Sequence, residues 1–112
     1  MEVSTRKEER FCVVSVAETR IDAAVALDFK ETMRQTTEDA PETVVLDLGH
    51  VEFIDSSGLG AIVATMKHLA PERVLVLAGL TPTVEKVFRL TRMDSVFSLF
   101  GTLDEALSQY GT

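Results

Sequence analysis

The chain has 112 residues, the size of one ordinary domain, and at this length roughly two-thirds of the unfolded surface can be buried without metal or disulfide staples. Its formal net charge is −7, with acidic residues spread along the chain, which disfavours direct nucleic-acid binding because phosphate contacts need clustered lysine and arginine. No apolar stretch approaches the roughly 20 residues of a membrane span, and the charged N-terminus lacks the apolar segment of a signal peptide, so we expect a cytoplasmic protein without a membrane span.

The first half of the chain predicts two strands, a helix and a third strand. Residues 3–10 are polar enough for an edge strand, and residues 11–16 form an apolar, partly β-branched run that suits a central strand. Cys12, the single cysteine, lies in that run and is expected to be buried rather than redox-active. Asp22 is the natural N-cap of the first helix, which should fray before Pro41. The apolar face of this helix is predicted at Val25, Leu27, Phe29 and Met33. The strand after it is predicted at residues 43–48.

The second half predicts three more helices and two more strands. The strands are residues 73–78 and 96–100, with a helix beginning at Pro82 between them. Thr102 should cap the last helix, with Glu105 three residues on completing a capping box. The second helix is predicted to have an apolar face of Leu59, Ile62, Val63, Met66 and Leu69. The face of the third helix is predicted at Val84, Val87 and Phe88, with Thr91 as a further candidate, and that of the fourth at Leu103, Ala106, Leu107 and Tyr110.

Apolar strands that alternate with amphipathic helices indicate an α/β fold. We expect a four- to five-stranded, mostly parallel or mixed sheet covered by about four α-helices. The strand-to-helix turn at residues 55–57 would then lie at the carboxyl edge of the sheet, where sites in such folds usually form.

Two adjacent serines mark that turn, in the sequence Val-Glu-Phe-Ile-Asp-Ser-Ser-Gly-Leu-Gly at residues 51–60. Neither Ser56 nor Ser57 has the Gly-x-Ser-x-Gly spacing of a hydrolase nucleophile. The two histidines, His50 and His68, are expected at the surface, so no general base is evident. We therefore predict no catalytic residue and no enzyme activity.

Metal and cofactor chemistry find no support in the sequence. Asp47, Glu52 and Asp55 follow no recognised ligand spacing, and no phosphate-binding Gly-x-x-x-x-Gly-Lys-[Ser/Thr] run is present. Gly58 and Gly60 are better explained by local packing and close backbone approach. The prediction is therefore a protein with no metal site and no cofactor.

The chemistry alone leaves two roles open for the serines. They can cap the helix, most plausibly with Asp55 and Ser56 sharing that role, or one of them can accept a phosphate. A phosphate adds about −1.5 to −2 charges at a helix N-terminus, where the helix dipole favours an anion. It would spare the fold but disrupt any complex that buries this edge against an apolar or acidic surface.

The sequence resembles STAS domains, specifically the bacterial anti-sigma-factor antagonists. Val-Val-Leu-Asp-Leu at residues 44–48 and Phe-Ile-Asp-Ser-Ser-Gly-Leu-Gly at residues 53–60 carry the likeness. It extends over nearly the whole chain, through residues 20–24, 77–80, 87–91 and 97–107. The resemblance implies a single STAS domain over residues 1–112.

The resemblance also implies a partner-switching function. Ser57, the second serine of Asp-Ser-Ser-Gly, would be phosphorylated by an anti-sigma factor that is also a serine kinase of the histidine-kinase-like ATPase fold. The unphosphorylated form would bind that anti-sigma factor and free the sigma factor, and a PP2C-type phosphatase would reset the switch. A homodimer is left open, as is an alternative role as a scaffold or subunit of a stress-sensing or membrane-transport complex. The implied partner surface comprises Asp22, Asp55, Ser56, Ser57, Gly58 and Leu59.

One departure from the family pattern lies in the first loop. Most relatives carry glycine in a Gly-x-Leu-Asp motif there, whereas Glu18-Thr19-Arg20 precede Ile21-Asp22 in this chain. We therefore expect a different backbone shape for the loop beside the site.

Overall fold

A computed structural model describes residues 1–110 of the chain. It contains seven β-strands, four α-helices and one short 3-10 helix. The strands are β1 (Val3–Lys7), β2 (Phe11–Val16), β3 (Arg20–Ile21), β4 (Thr43–Asp47), β5 (Phe53–Ile54), β6 (Val74–Ala78) and β7 (Ser98–Phe100). The helices are α1 (Ala26–Thr36), α2 (Ser56–Leu69), α3 (Pro82–Leu90), the 3-10 helix (Met93–Ser95) and α4 (Leu103–Tyr110).

Five of the strands form one mixed sheet in the order β1-β2-β4-β6-β7. The edge strand β1 runs antiparallel to β2, and all other neighbours in this sheet are parallel. The two-residue strands β3 and β5 form a separate parallel ribbon. The predicted mixed, mostly parallel α/β fold with four helices is confirmed.

The central strands are apolar on both faces because helices cover both sides of the sheet. One face packs against α1, α2 and α3 through a large core that includes Phe29, Ile62 and Phe88. The opposite face packs against α4 through a smaller cluster around Val45 and Ala106. Alternate residues of each strand point to opposite faces, so most positions of the central strands are apolar, and the polar residues Ser15 and Asp47 bond to each other near the strand ends.

The first helix differs from its prediction. It begins at Ala26 rather than just after Asp22, because Asp22 opens a turn that precedes the helix. Its carboxylate Oδ1 accepts a bond from the Ala24 backbone N–H at 3.1 Å, the i to i+2 bond of an Asx turn. Leu27, predicted on the apolar face, is 76% exposed. Only Phe29 and Met33 of that face are buried.

The buried face of α2 is also rotated from its prediction. Leu59, Val63 and Met66 are only partly buried, and the fully buried positions include small residues that periodicity in large apolar side chains does not reveal. The buried residues of α2 are Gly58, Ala61, Ile62, Thr65 and Leu69. Small side chains on this face allow the helix to approach the neighbouring backbone closely.

The capping predictions for the later helices hold in part. Pro82 is the first residue of α3, as predicted. Thr81 is the N-cap residue by position, but its hydroxyl donates to the Val51 carbonyl at 2.9 Å and makes no bond to the first turn of the helix. The Glu105 backbone N–H bonds to Thr102 Oγ1 at 3.1 Å, which is the predicted cap of α4. The strand predicted at residues 96–100 is confined to Ser98–Phe100 because the 3-10 helix precedes it.

Candidate functional site

The β3–β5 ribbon brings two distant loops side by side. Arg20 pairs with Phe53 and Ile21 pairs with Ile54 in parallel register, so the residues after each strand leave the ribbon in the same direction. These are Asp22 on one loop and Asp55 on the other. The ribbon therefore joins the first loop to the start of α2.

Asp55 fixes both loops with its two carboxylate oxygens. Oδ1 accepts a hydrogen bond from the Gly58 N–H at 2.9 Å, and Oδ2 accepts one from the Ala23 N–H at 3.1 Å. Hydrogen bonds from the backbone N–H groups of Gly58, Ala23 and Ser57 hold the pKa of Asp55 below its usual value. The carboxylate is therefore ionised at neutral pH, and we call this pair of bonds the Asp55 clamp.

Gly58 is required by the closeness of the first loop. A Cβ atom on Gly58 would lie 1.9 Å from the Ile21 carbonyl oxygen and 3.0 Å from Ile54 Cγ1. A Cβ on Gly60 would meet nothing within 4 Å. The close-packing explanation is thus correct for Gly58 and wrong for Gly60, whose Cα faces open space.

Arg20 and Phe53 form an exposed pair on the ribbon that sequence reasoning missed. The Arg20 guanidinium carbon lies 4.5 Å from the centre of the Phe53 ring, within cation–π range. Arg20 Nε also donates to Asp22 Oδ2 at 3.1 Å. The sequence carries no signal for this pair, because it depends on the register of the two-residue strands β3 and β5.

The two serines differ slightly from their predicted roles. Asp55 alone is the N-cap of α2, whereas Ser56, which was predicted to share the cap, is the first helical residue. Ser57 follows as the second helical residue, and both serine side chains are exposed. Leu59 is half-buried beside them. The structure thus gathers all the predicted site residues at one edge: Asp22, Asp55, Ser56, Ser57, Gly58 and Leu59.

Known proteins share both the sequence pattern and the fold. The family model described as STAS domain matches residues 2–106. The chain belongs to the STAS domain family. It is 30% identical over 88 residues to the anti-sigma-F factor antagonist RsfB of Mycobacterium tuberculosis, an alignment that spans 79% of this chain and 72% of RsfB.

Solved structures extend the similarity to the whole STAS domain. An anti-sigma factor antagonist from Mycobacterium paratuberculosis superposes with a TM-score of 0.87 and 30% identity, covering 99% of this chain and 94% of that one. The Bacillus cell fate determinant SpoIIAA in its phosphorylated form shares the fold, with a TM-score of 0.68, 21% identity and coverage of 96% and 98%. Anti-sigma-factor antagonists are regulatory binding proteins, in agreement with the prediction that this chain is not an enzyme.

The first loop of this STAS domain needs no glycine. Among the described residues, only Gly79 and Arg92 have a positive φ, so Thr19 has an ordinary backbone conformation. Its carbonyl oxygen accepts bonds from the N–H groups of Glu52 at 2.8 Å and Phe53 at 3.2 Å. Threonine at this position is therefore compatible with the pairing that builds the ribbon.

Other chemistry is not evident around the site. His50 and His68 are both exposed, as predicted. Within residues 1–110, no three His, Cys, Asp or Glu side chains are grouped so that they could hold a metal ion. In the same described range, no helix combines the length and apolar character that crossing a bilayer needs.

Proposed function

We propose that this chain is an anti-sigma-factor antagonist controlled by phosphorylation of Ser57. In this proposal, the unphosphorylated STAS domain binds an anti-sigma factor in the cytoplasm and releases the sigma factor that it held. The observation that carries the proposal is the position of Ser57, exposed at the second residue of α2 and next to the Asp55 clamp. A kinase can reach this hydroxyl without disturbing any buried group.

The electrostatics of the edge explain how a phosphate would act. The N-terminal turn of α2 favours an anion, so the added charge does not oppose the helix. Asp22 and Asp55 already place carboxylates on the same edge, and Asp55 is ionised. A phosphate dianion beside them raises the local negative charge sharply. An acidic partner surface is then repelled, and an apolar partner surface would have to bury the phosphate away from water.

The partner that this proposal requires is an anti-sigma factor with serine kinase activity and a histidine-kinase-like ATPase fold. A PP2C-type phosphatase would remove the phosphate. The proposed contact surface is the edge formed by the two loops and the first turn of α2. The names of the similar proteins and the existence of a phosphorylated SpoIIAA support this assignment.

Phosphorylation assays with the cognate kinase test the proposal. Incubation with kinase and ATP, followed by peptide mass spectrometry, should find one phosphate on Ser57. Ser57→Ala should abolish phosphorylation, whereas Ser56→Ala, the matched control one residue earlier, should retain it. In binding assays, Ser57→Asp should weaken the complex by about tenfold or more, equivalent to about 1.4 kcal/mol. Phosphate only on Ser56, or full binding by Ser57→Asp, would refute the proposal.

A further inference from the structure

An apolar groove lies between α1 and α2, on the outer surface of the domain. Leu27, Lys30, Glu31 and Arg34 follow one another at helical spacing along one stripe of α1, and Ala64, Thr65 and His68 line the groove from α2. The groove has a volume of about 180 Å³. Its apolar feature is Leu27, whose 76% exposure is unusual for a leucine on a helix that packs against the core.

The charge of the groove is opposite to that of the chain. Glu31 is its one acidic residue, and Arg34 binds that carboxylate at 2.6 Å through one terminal nitrogen and at 3.2 Å through Nε. Lys30 forms no ion pair with any residue in the described range. The groove therefore offers an uncompensated ammonium group beside an exposed leucine, in a protein whose net charge is −7.

The groove opens on the same side of the domain as the start of both helices. The Asp55 clamp ties the first turn of α2 to Ala23, three residues before α1 begins, so both helices start at the same edge. Leu27 is the second residue of α1 and marks the end of the groove nearest that edge. On the α2 side the lining starts at Ala64, seven residues and about 10 Å along the helix from Ser57. A partner seated on the edge reaches the groove by extending about that far along the two helices.

We propose that the α1–α2 groove binds an acidic amphipathic segment of the anti-sigma factor, which makes it a second contact beyond the phosphorylated edge. This inference rests on the proposed function for the identity of the partner. An apolar side chain of the segment would cover Leu27, and a carboxylate would pair with Lys30.

Binding to the cognate anti-sigma factor tests the groove with matched variants. Leu27→Ala and Lys30→Glu should each weaken binding about fivefold to tenfold. Leu90→Ala and Lys86→Glu are the controls on α3, where Leu90 is 74% exposed and Lys86 is exposed, and both should bind like the wild type. All four positions are on the surface, so thermal melting should show folded proteins. Wild-type affinity for both groove variants, or equal losses for the controls, would overturn the proposal.

Isotope-labelled protein and two designed peptides test the chemistry directly. One peptide is an amphipathic helix with leucine on one face and glutamate on the other, and its twin carries lysine instead of glutamate. The acidic peptide should shift the backbone amide resonances of α1 and α2 at the groove, and the lysine twin should not. Equal shifts with both peptides would overturn the proposal, because the groove would then not select acidic groups. The proposal would also fail if the protein dimerises with rising concentration and Leu27→Ala abolishes that dimerisation. Binding to anionic phosphatidylglycerol vesicles, with no binding to the acidic peptide, would overturn it as well.

The Ser57→Asp variant separates this inference from the proposed function. If Ser57→Asp prevents binding of the anti-sigma factor but Leu27→Ala and Lys30→Glu do not weaken it, the switch stands and the groove proposal fails. If the groove variants weaken binding and Ser57→Asp does not, the groove contact stands and the phosphorylation switch fails.

Discussion

Gly58 gives the sharpest test of the close contact at the site. In an ordinary exposed helix, replacing glycine by alanine stabilises the protein by about 1 kcal/mol. At Gly58 the new Cβ would lie 1.9 Å from the Ile21 carbonyl oxygen, about 1.5 Å nearer than the 3.4 Å at which ordinary contact begins. The obstacle is backbone rather than a flexible side chain, and Ile21 is fully buried. Either α2 or the ribbon must move.

The expected cost follows from that movement. Overpacking of a well-packed site costs about 1–3 kcal/mol, and a shift of α2 would also strain the Asp55 clamp. After the gain in helix propensity, Gly58→Ala should be destabilised by about 2 kcal/mol. Gly60→Ala, with nothing within 4 Å of its Cβ, should be stabilised by about 0.5–1 kcal/mol.

Urea denaturation followed by circular dichroism measures both changes. For a slope of about 1–2 kcal/mol per molar urea, Gly58→Ala should lower the midpoint by about 1–2 M while Gly60→Ala raises it slightly. The two glycines lie two residues apart in the same helix, so differences in helix propensity cancel. A midpoint for Gly58→Ala at or above that of the wild type would refute the packing argument, and so would an equal loss for Gly60→Ala.

Three other predictions concern charge and backbone conformation at single residues. Because the pKa of Asp55 is lowered in the folded protein, its stabilising contribution is complete above the ordinary carboxyl pKa of about 3.9 and is lost as the pH falls through the lower folded value. Urea titrations should therefore show a constant deficit for Asp55→Asn between about pH 7 and 5 that shrinks below about pH 4, and an undiminished deficit at about pH 2.5 would contradict this. Arg92 has a φ of 62°, which glycine adopts more easily than other residues, so Arg92→Gly should raise the free energy of unfolding by about 0.5–1 kcal/mol. A lower free energy of unfolding would show that contacts of the Arg92 side chain stabilise the fold more than its backbone conformation destabilises it. Ser57→Asp should leave the thermal midpoint unchanged or slightly raised, because an acidic group at a helix N-terminus contributes about 0.3–1 kcal/mol, and a fall of several degrees would mean that the switch acts by unfolding.

The sequence predicted those strands that contain runs of apolar residues and those helices that begin at a recognisable residue. Strands β2, β4 and β6 each contain at least three consecutive apolar residues, and α3 and α4 start at clear signals, Pro82 and Thr102. The ribbon of β3 and β5 could not be predicted in this way, since two residues per strand carry no period and their pairing joins positions 33 apart. The late start of α1 has a partly similar origin, because Asp55 on the other loop binds the Ala23 amide within the turn that Asp22 opens.

The clamp also determines what kind of change a phosphate on Ser57 can make. Both oxygens of Asp55 are occupied by backbone amides, and Gly58 lies against the Ile21 carbonyl with no room for a methyl group. An edge packed this closely has little freedom to change shape, whereas its exposed serine can gain charge. The proposed switch therefore acts through electrostatics more than through conformation. Added salt screens exposed charges over about 8–10 Å, so it should narrow the difference in partner affinity between the phosphorylated and unphosphorylated forms. A conformational switch would keep that difference unchanged as salt is raised.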